Sequence, residues 1–159
     1  MEKFKGFMKN FGISFLAYSS TSLLGLAALA VRVHATRVPN VVLDAPRDVP
    51  FWVNIIFGLH TILSIVVYFY VGTKLKLLGN HLLNFLSVSW GIIFGLMMAW
   101  FGSYMLIFPQ FSFLGLVVVI DSIIGNNLLV IVTTTSVLPA AITWFGMLYQ
   151  STKIKCLMK

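Results

Sequence analysis

Residues 84–108, NFLSVSWGIIFGLMMAWFGSYMLIF, form the stretch that decides the fold, and they include no charged residue. A helix of roughly 20 apolar residues crosses the hydrocarbon core of a bilayer, which is about 30 Å thick. Small residues recur along the stretch: Gly91 and Gly95 have a GxxxG spacing, and Gly102 follows. Such spacing lets a second helix approach closely within a membrane. We therefore expect a central membrane helix over about 82–108, packed through these three glycines.

The composition of the whole chain is typical of a membrane protein. Of its 159 residues, 59% are hydrophobic and only 9% are charged, whereas soluble domains carry about 25% charged residues. Lipid is therefore the expected solvent for most of the surface, and the length fits one membrane domain, residues 1–159. The single cysteine, Cys156, excludes an internal disulfide and a Cys-pair redox centre.

Three further hydrophobic stretches are long enough to cross a bilayer: residues 11–31, 51–72 and 128–149. The alternative interpretation of the first stretch is a cleaved signal peptide, but its apolar run is longer than a usual signal core. The last stretch contains Pro139, which predicts a kink. We therefore predict an all-α integral membrane protein built as a four-helix bundle.

The segments between the spans are of two kinds. Residues 32–50 are polar and contain three prolines, which prevent a long regular helix. Residues 109–127 hold an apolar core that is too short to cross the membrane and is interrupted by Asp121. Runs of about 10–14 apolar residues are more often re-entrant or interfacial. We expect both segments to be outer loops, with a short interfacial or re-entrant helix in the second one before the last span.

The distribution of lysines predicts the topology. Eight lysines lie in the head, in the turn at 73–80 and in the tail: Lys3, Lys5, Lys9, Lys74, Lys76, Lys153, Lys155 and Lys159. Lysine-rich segments stay on the cytoplasmic side of a membrane. We therefore expect a plasma (inner) membrane protein with both termini in the cytoplasm. The same placement makes the net charge of +7 a topology signal rather than a groove for nucleic acid.

Polar residues at membrane depth are candidate functional residues, because lipid solvates them poorly. The candidates are His60, Asn54, Thr61, Asp121 and Asn126. His60 lies close to the middle of its span, where it is either a hydrogen-bonding residue that joins two helices or a proton-sensing or ligand-binding imidazole. For the structural alternative, we expect His60 to bond to a neighbouring helix, for example to Ser87 or Ser89. Asn54, Thr61 and Ser64 have helical spacing and predict a mildly polar face.

The outer loop 32–50 carries a second candidate site. It holds all the arginines of the chain together with two acids: Arg32, Arg37, Arg47, Asp44 and Asp48. Arginine forms bidentate bonds to phosphates and carboxylates. These residues are therefore expected to bind a partner protein, a lipid phosphate or another anion.

The sequence contains no complete set of residues typical of a membrane-embedded enzyme. A paired-Asp membrane protease needs two carboxylates in the membrane, and only Asp121 is available. His60 with Ser87 or Ser89 has the residue types of a Ser–His protease, but no nucleophile motif accompanies them. His34, His60 and His81 are too far apart in sequence to indicate a metal site. We expect no enzymatic activity, no metal and no cofactor.

Two function classes remain. The preferred one is a partner-binding subunit, chaperone or immunity-type factor that docks on another membrane protein or on a second copy of itself. The alternative is a small oligomeric channel or transporter for an ion or small solute, because broken helices at membrane depth usually line a cavity or site. The first is preferred because charged residues suited to a pathway are few. Convergence of the intramembrane polar residues on one path would favour the second.

Overall fold

The computed structural model describes residues 1–36, 50–90, 92–93, 113–124 and 128–157. Over these ranges the chain forms helices and no strand, which confirms the all-α prediction. The helices are α1 (Glu2–Thr36), α2 (Phe51–Lys74), α3 (His81–Leu86), α4 (Leu114–Ile124) and α5 (Leu128–Leu157). Two of them, α1 and α2, are long and apolar enough to cross a membrane. The complete set of four spans stays a prediction.

The first and last helices are longer than the spans predicted for them. The α1 helix includes the basic head from Glu2 onwards and also residues 32–36, which were assigned to the outer loop. The α5 helix continues past residue 149 to Leu157. Neither extension contains proline, and lysine is a good helix former, so the backbone continues as a helix beyond the apolar run. At 35 residues, α1 is about 52 Å long, which exceeds a hydrocarbon core of about 30 Å.

The predicted span 82–108 is interrupted near its start. The α3 helix ends at Leu86, and the next three residues form a turn. The Ser87 hydroxyl donates to the Asn84 carbonyl, and the Ser89 hydroxyl donates to the Phe85 carbonyl. Serine hydroxyls that bond to nearby backbone groups favour turns over a continuous helix. The helix is therefore interrupted at residues 87–89, where the two serines bond to the backbone, and the span over about 82–108 stays a prediction.

The α2 helix is the one around which the rest of the described chain packs, since it contacts α1, α4 and α5. Its buried side chains recur at helical spacing and include polar ones: Val53, Phe57, His60, Ser64, Tyr68 and Gly72. Its exposed side chains are mainly large and apolar: Phe51, Trp52, Ile55, Leu59, Ile62, Leu63, Ile65, Val66, Phe69 and Tyr70. A helix that buries polar groups and exposes apolar ones is suited to lipid rather than to water.

Two glycines bring α2 and α5 into backbone contact. A Cβ atom built on Gly72 would overlap the Thr143 carbonyl oxygen and lie 3.0 Å from the Gly146 Cα atom. A Cβ atom on Gly146 would likewise overlap the Phe69 carbonyl oxygen. Small residues allow such close approach in membrane bundles. The helices run in the same direction, because Ile142 packs in the cluster around Tyr68 and Met147 packs against Leu75 further along.

The lysine-bearing segments meet at one end of the bundle. The Asn10 side chain of α1 donates to the Lys76 carbonyl at 2.7 Å and accepts from the Lys76 N–H at 3.0 Å. The contact between Gly72 and Gly146 brings the C-terminal half of α5 to the same end. Arg32 lies at the opposite end, with its guanidinium 5.8 Å from the centroid of the Phe57 ring. This arrangement agrees with the charge pattern in the sequence, while the side of the membrane on which each end lies stays a prediction.

Candidate functional site

His60 is buried on α2 and joins this helix to α1. Its Nε2 atom lies 3.0 Å from the Thr21 carbonyl oxygen. A carbonyl oxygen only accepts hydrogen bonds, so the Nε2 atom carries the hydrogen, and the Nδ1 atom of a neutral ring is then an acceptor. The two partners given as examples were wrong: Ser87 and Ser89 bond to backbone carbonyls of α3 instead. The structural role expected for His60, a hydrogen bond between helices, is present with a different partner.

Thr21 makes a second connection between the same two helices. Its hydroxyl pairs with the Tyr68 hydroxyl, one helical turn beyond Ser64 on α2. The Thr21 hydroxyl also lies 3.0 Å from the Ala17 carbonyl oxygen of its own helix. Tyr68 is buried, with 2% of its surface exposed. It therefore belongs to the interior of the bundle.

The start of α4 docks onto the middle of α2. The Gly115 N–H donates to the Thr61 hydroxyl at 2.9 Å, and a Cβ atom on Gly115 would lie only 2.7 Å from the Phe57 carbonyl oxygen. Val118, further along α4, packs against Phe57 and Val53 near the start of α2. The α4 helix therefore begins level with the middle of α2 and runs towards the Arg32 end. The choice between an interfacial and a re-entrant placement of this short helix stays a prediction.

A serine of α5 lies at the same level. The helices α2 and α5 run in the same direction and touch at Gly72 and Gly146. Since both rise by the same distance per residue, the positions ten residues before this contact, 62 and 136, lie at the same level. Ser136 is therefore level with the segment from His60 to Ser64. Its side chain is buried, as is that of Thr135 beside it. The buried face of α5 is made mostly of small residues here: Thr135, Ser136, Pro139, Ala140, Thr143 and Gly146.

These residues together form what we call the polar layer: Thr21, His60, Ser64, Tyr68 and Ser136. Three of its buried atoms have no hydrogen-bond partner among the described residues, namely His60 Nδ1, Ser64 Oγ and Ser136 Oγ. The three side chains are only 7%, 1% and 5% exposed, respectively. Buried polar groups normally have a partner. The polar layer therefore has hydrogen-bonding capacity that the described residues leave unused.

The other predicted candidates are not part of this layer. Thr61 bonds to α4, as described, and Asn54 is exposed near the start of α2. Asp121 lies in α4, but its side chain is not among those described. The remaining candidates lie outside the described residues: Arg37, Arg47, Asp44, Asp48, Asn126, Gly91, Gly95 and Gly102. In the ranges that the structure covers, no group of three or more His, Cys, Asp and Glu side chains is arranged to hold a metal ion.

Several residues of the layer and its supports were missed from the sequence. The candidates named from the sequence include neither Tyr68 nor Ser136. A signal for the contact of α2 with α5 was present in Ser64 and Gly72, two small residues eight positions apart and so on one face of the helix. Small residues at such a spacing mark a helix face that packs closely. Gly72 was read as the end of a span instead of as a packing residue.

Comparison with known proteins finds no family model, no curated protein and no solved structure that matches this chain. The function is therefore argued from the geometry of the polar layer alone.

Proposed function

We propose that this chain is a non-enzymatic, multi-pass membrane protein whose polar layer binds an ion or a small polar solute during passage across the membrane. The observation that carries the proposal is the set of three unpartnered buried atoms, His60 Nδ1, Ser64 Oγ and Ser136 Oγ. They come from two helices and lie at the level where α4 begins. Because these unpartnered atoms share one level of the bundle, we prefer a channel or transporter to a partner-binding subunit.

The depth of the layer supports this function. The 24 residues of α2 measure about 36 Å, enough to cross a hydrocarbon core of about 30 Å. The middle of α2 then lies near the midplane, between His60 and Ser64. Polar and ionisable groups at that depth are expensive and usually serve ion or substrate pathways. Helices that begin at membrane depth, as α4 does in this arrangement, are common at the binding sites of transporters.

The mode of passage that we propose is a conformational change rather than an open pore. The backbone contact between Gly72 and Gly146 closes the space between α2 and α5 towards the lysine end. Access from that end therefore requires movement of these helices or of a neighbour. A site at the midplane that opens to the two sides in turn is the arrangement of secondary transporters.

The proposed topology has four spans, with both termini in the cytoplasm of a plasma (inner) membrane. Its support is the collection of Lys3, Lys5, Lys9, Lys74 and Lys76 at one end of the bundle, while Arg32 lies at the other. Lysine-rich ends stay cytoplasmic. The lipid bilayer is thus the first partner of the protein, and no nucleic acid is proposed.

A partner-binding subunit, chaperone or immunity-type factor is the second candidate. The specific observation in its favour is Asn54, a polar side chain that is exposed beside the apolar Phe51 and Ile55. Asn54 lies at the same end of the bundle as Arg32. An exposed amide there suits a contact with another membrane protein or with a second copy of this chain.

The deciding experiment measures flux and partner capture on the same variants. The purified protein is reconstituted in liposomes, and the fluxes of protons, potassium, chloride and glycerol are recorded. The variants are His60→Gln, Ser64→Ala and Ser136→Ala, and the matched control is Ser20→Ala, which changes an exposed serine of α1. We expect flux of at least one solute, reduced about tenfold by the layer variants and unchanged by the control.

Stability and capture complete the test. Removing an unpartnered buried hydroxyl costs no hydrogen bond, so Ser64→Ala should unfold no earlier than the parent chain. If such a variant loses flux but keeps its stability, the loss results from the changed polar layer and not from unfolding. The contrary result has two parts. None of the four solutes crosses the liposome membrane, and a pull-down in gentle detergent captures a stoichiometric partner protein that the Arg37→Gln/Arg47→Gln variant no longer binds. That result would replace the first candidate by the second.

A further inference from the structure

A cluster of three lysines is built onto the junction between α1 and the segment after α2. Asn10 is 1% exposed and forms two hydrogen bonds with the backbone of Lys76. One turn earlier, a Cβ atom on Gly6 would lie 3.5 Å from the Lys76 Cδ atom and 2.9 Å from Leu78. These contacts fix the Lys76 backbone and the base of its side chain against α1. Lys5 and Lys9 immediately precede the two contact positions, Gly6 and Asn10.

The charges of this cluster have no acidic partner among the described residues. Lys5, Lys9 and Lys76 are all exposed, and none of them forms an ion pair within the part of the chain that the structure describes. Lys5 and Lys9 are four residues apart on one helix, where like charges repel each other. Glu2 is the only acid in the first turn of α1. An external anion would relieve the repulsion among the three ammonium groups.

The apolar neighbours of the cluster indicate which anion it suits. Phe4 and Met8 precede Lys5 and Lys9 and are 68% and 50% exposed. Large exposed apolar side chains beside a group of cations match a molecule that has an acidic head and a hydrocarbon body. Free phosphate would use only the cations.

We propose that Lys5, Lys9 and Lys76 bind the headgroup phosphate of an anionic phospholipid, with Phe4 and Met8 against its acyl chains. This inference concerns the lysine end of the bundle and does not depend on the function of the polar layer. The two bonds of Asn10 and the contact at Gly6 hold Lys76 against the turns of α1 that carry Lys5 and Lys9. Basic clusters next to a membrane helix attract anionic lipids.

The test uses the full-length protein in a neutral detergent. Phosphatidylglycerol, phosphatidylcholine or inorganic phosphate is titrated in, and bound lipid is counted by native mass spectrometry alongside the thermal midpoint. The variant is Lys5→Gln/Lys9→Gln/Lys76→Gln. A charge-matched control, Lys3→Gln/Lys74→Gln/Lys153→Gln, removes three exposed lysines from elsewhere at the same end.

We expect one phosphatidylglycerol to bind and to raise the thermal midpoint, with apparent affinity reduced about tenfold or more in the first triple variant. The control triple variant and the conservative Lys5→Arg/Lys9→Arg/Lys76→Arg variant should retain binding. Equal losses in the two Gln variants would overturn the site in favour of diffuse attraction. Equal stabilisation by phosphatidylcholine or by inorganic phosphate would overturn the assignment to an anionic lipid.

Discussion

The sharpest test of the packing is the substitution Gly72→Ala. The added Cβ atom would lie 3.0 Å from the Gly146 Cα atom and would also overlap the Thr143 carbonyl oxygen. Two carbon atoms in contact prefer a separation of about 3.5–4.0 Å, so α2 and α5 must move apart by roughly 0.5–1 Å. Overpacking of this kind costs about 1–3 kcal/mol. Neither obstacle is the end of a flexible side chain, so local adjustment relieves little of the strain.

Gly58→Ala is the matched control, because it makes the same change in the same helix. Nothing lies within 4 Å of a Cβ atom at Gly58, and replacing glycine by alanine within a helix stabilises it by roughly 0.5–1 kcal/mol. Thermal unfolding in detergent should therefore show an earlier transition for Gly72→Ala and an unchanged or later one for Gly58→Ala. Equal midpoints for the two variants would refute the backbone contact between α2 and α5.

Three further substitutions test other parts of the account by thermal unfolding in detergent. Asn10→Ala leaves the Lys76 N–H and carbonyl without their partner and should cost about 1–3 kcal/mol; unchanged stability would mean that this junction is not held by Asn10. Thr21→Val removes the hydrogen bond between the Thr21 and Tyr68 hydroxyls and should cost about 0.5–1.5 kcal/mol, and a neutral result would contradict the pairing. Gly91→Leu should disturb assembly if the glycines of the third predicted span face another helix, and wild-type stability would indicate that they face lipid.

Much of the helical architecture was readable from the sequence, because it depends on local signals. The predicted second span matches α2 to within a few residues, since Pro50 precedes an apolar run without charges. Asn80 begins α3, and its side chain accepts from the Leu82 N–H at 2.9 Å, as expected for a capping residue. Gly79 before it adopts a φ of 74°, which a residue without a side chain does readily.

The parts that the sequence did not predict depend on contacts between distant residues. The partner of His60 is a backbone carbonyl, that of Thr21, and any residue type provides a carbonyl. The docking of α4 depends on Gly115 and Thr61, which are 54 residues apart. No periodicity in one segment reports such a pairing. The ends of α1 were not predicted, because hydropathy locates the apolar run that contacts lipid and does not locate the residues at which the helix begins and ends.

The central claim, that the polar layer lies at the midplane of a membrane, is tested most directly by measuring depth along α2. Cys156 is replaced by serine, single cysteines are placed at Phe51 and Ile62, and each is spin-labelled after reconstitution into liposomes. Both side chains are exposed, at 79% and 60%, so labels there should not disturb the interior. We expect the label at Ile62 to collide often with oxygen and rarely with a water-soluble nickel complex, and the label at Phe51 to lie much closer to water. Equal access of the nickel complex to both labels would contradict the claim.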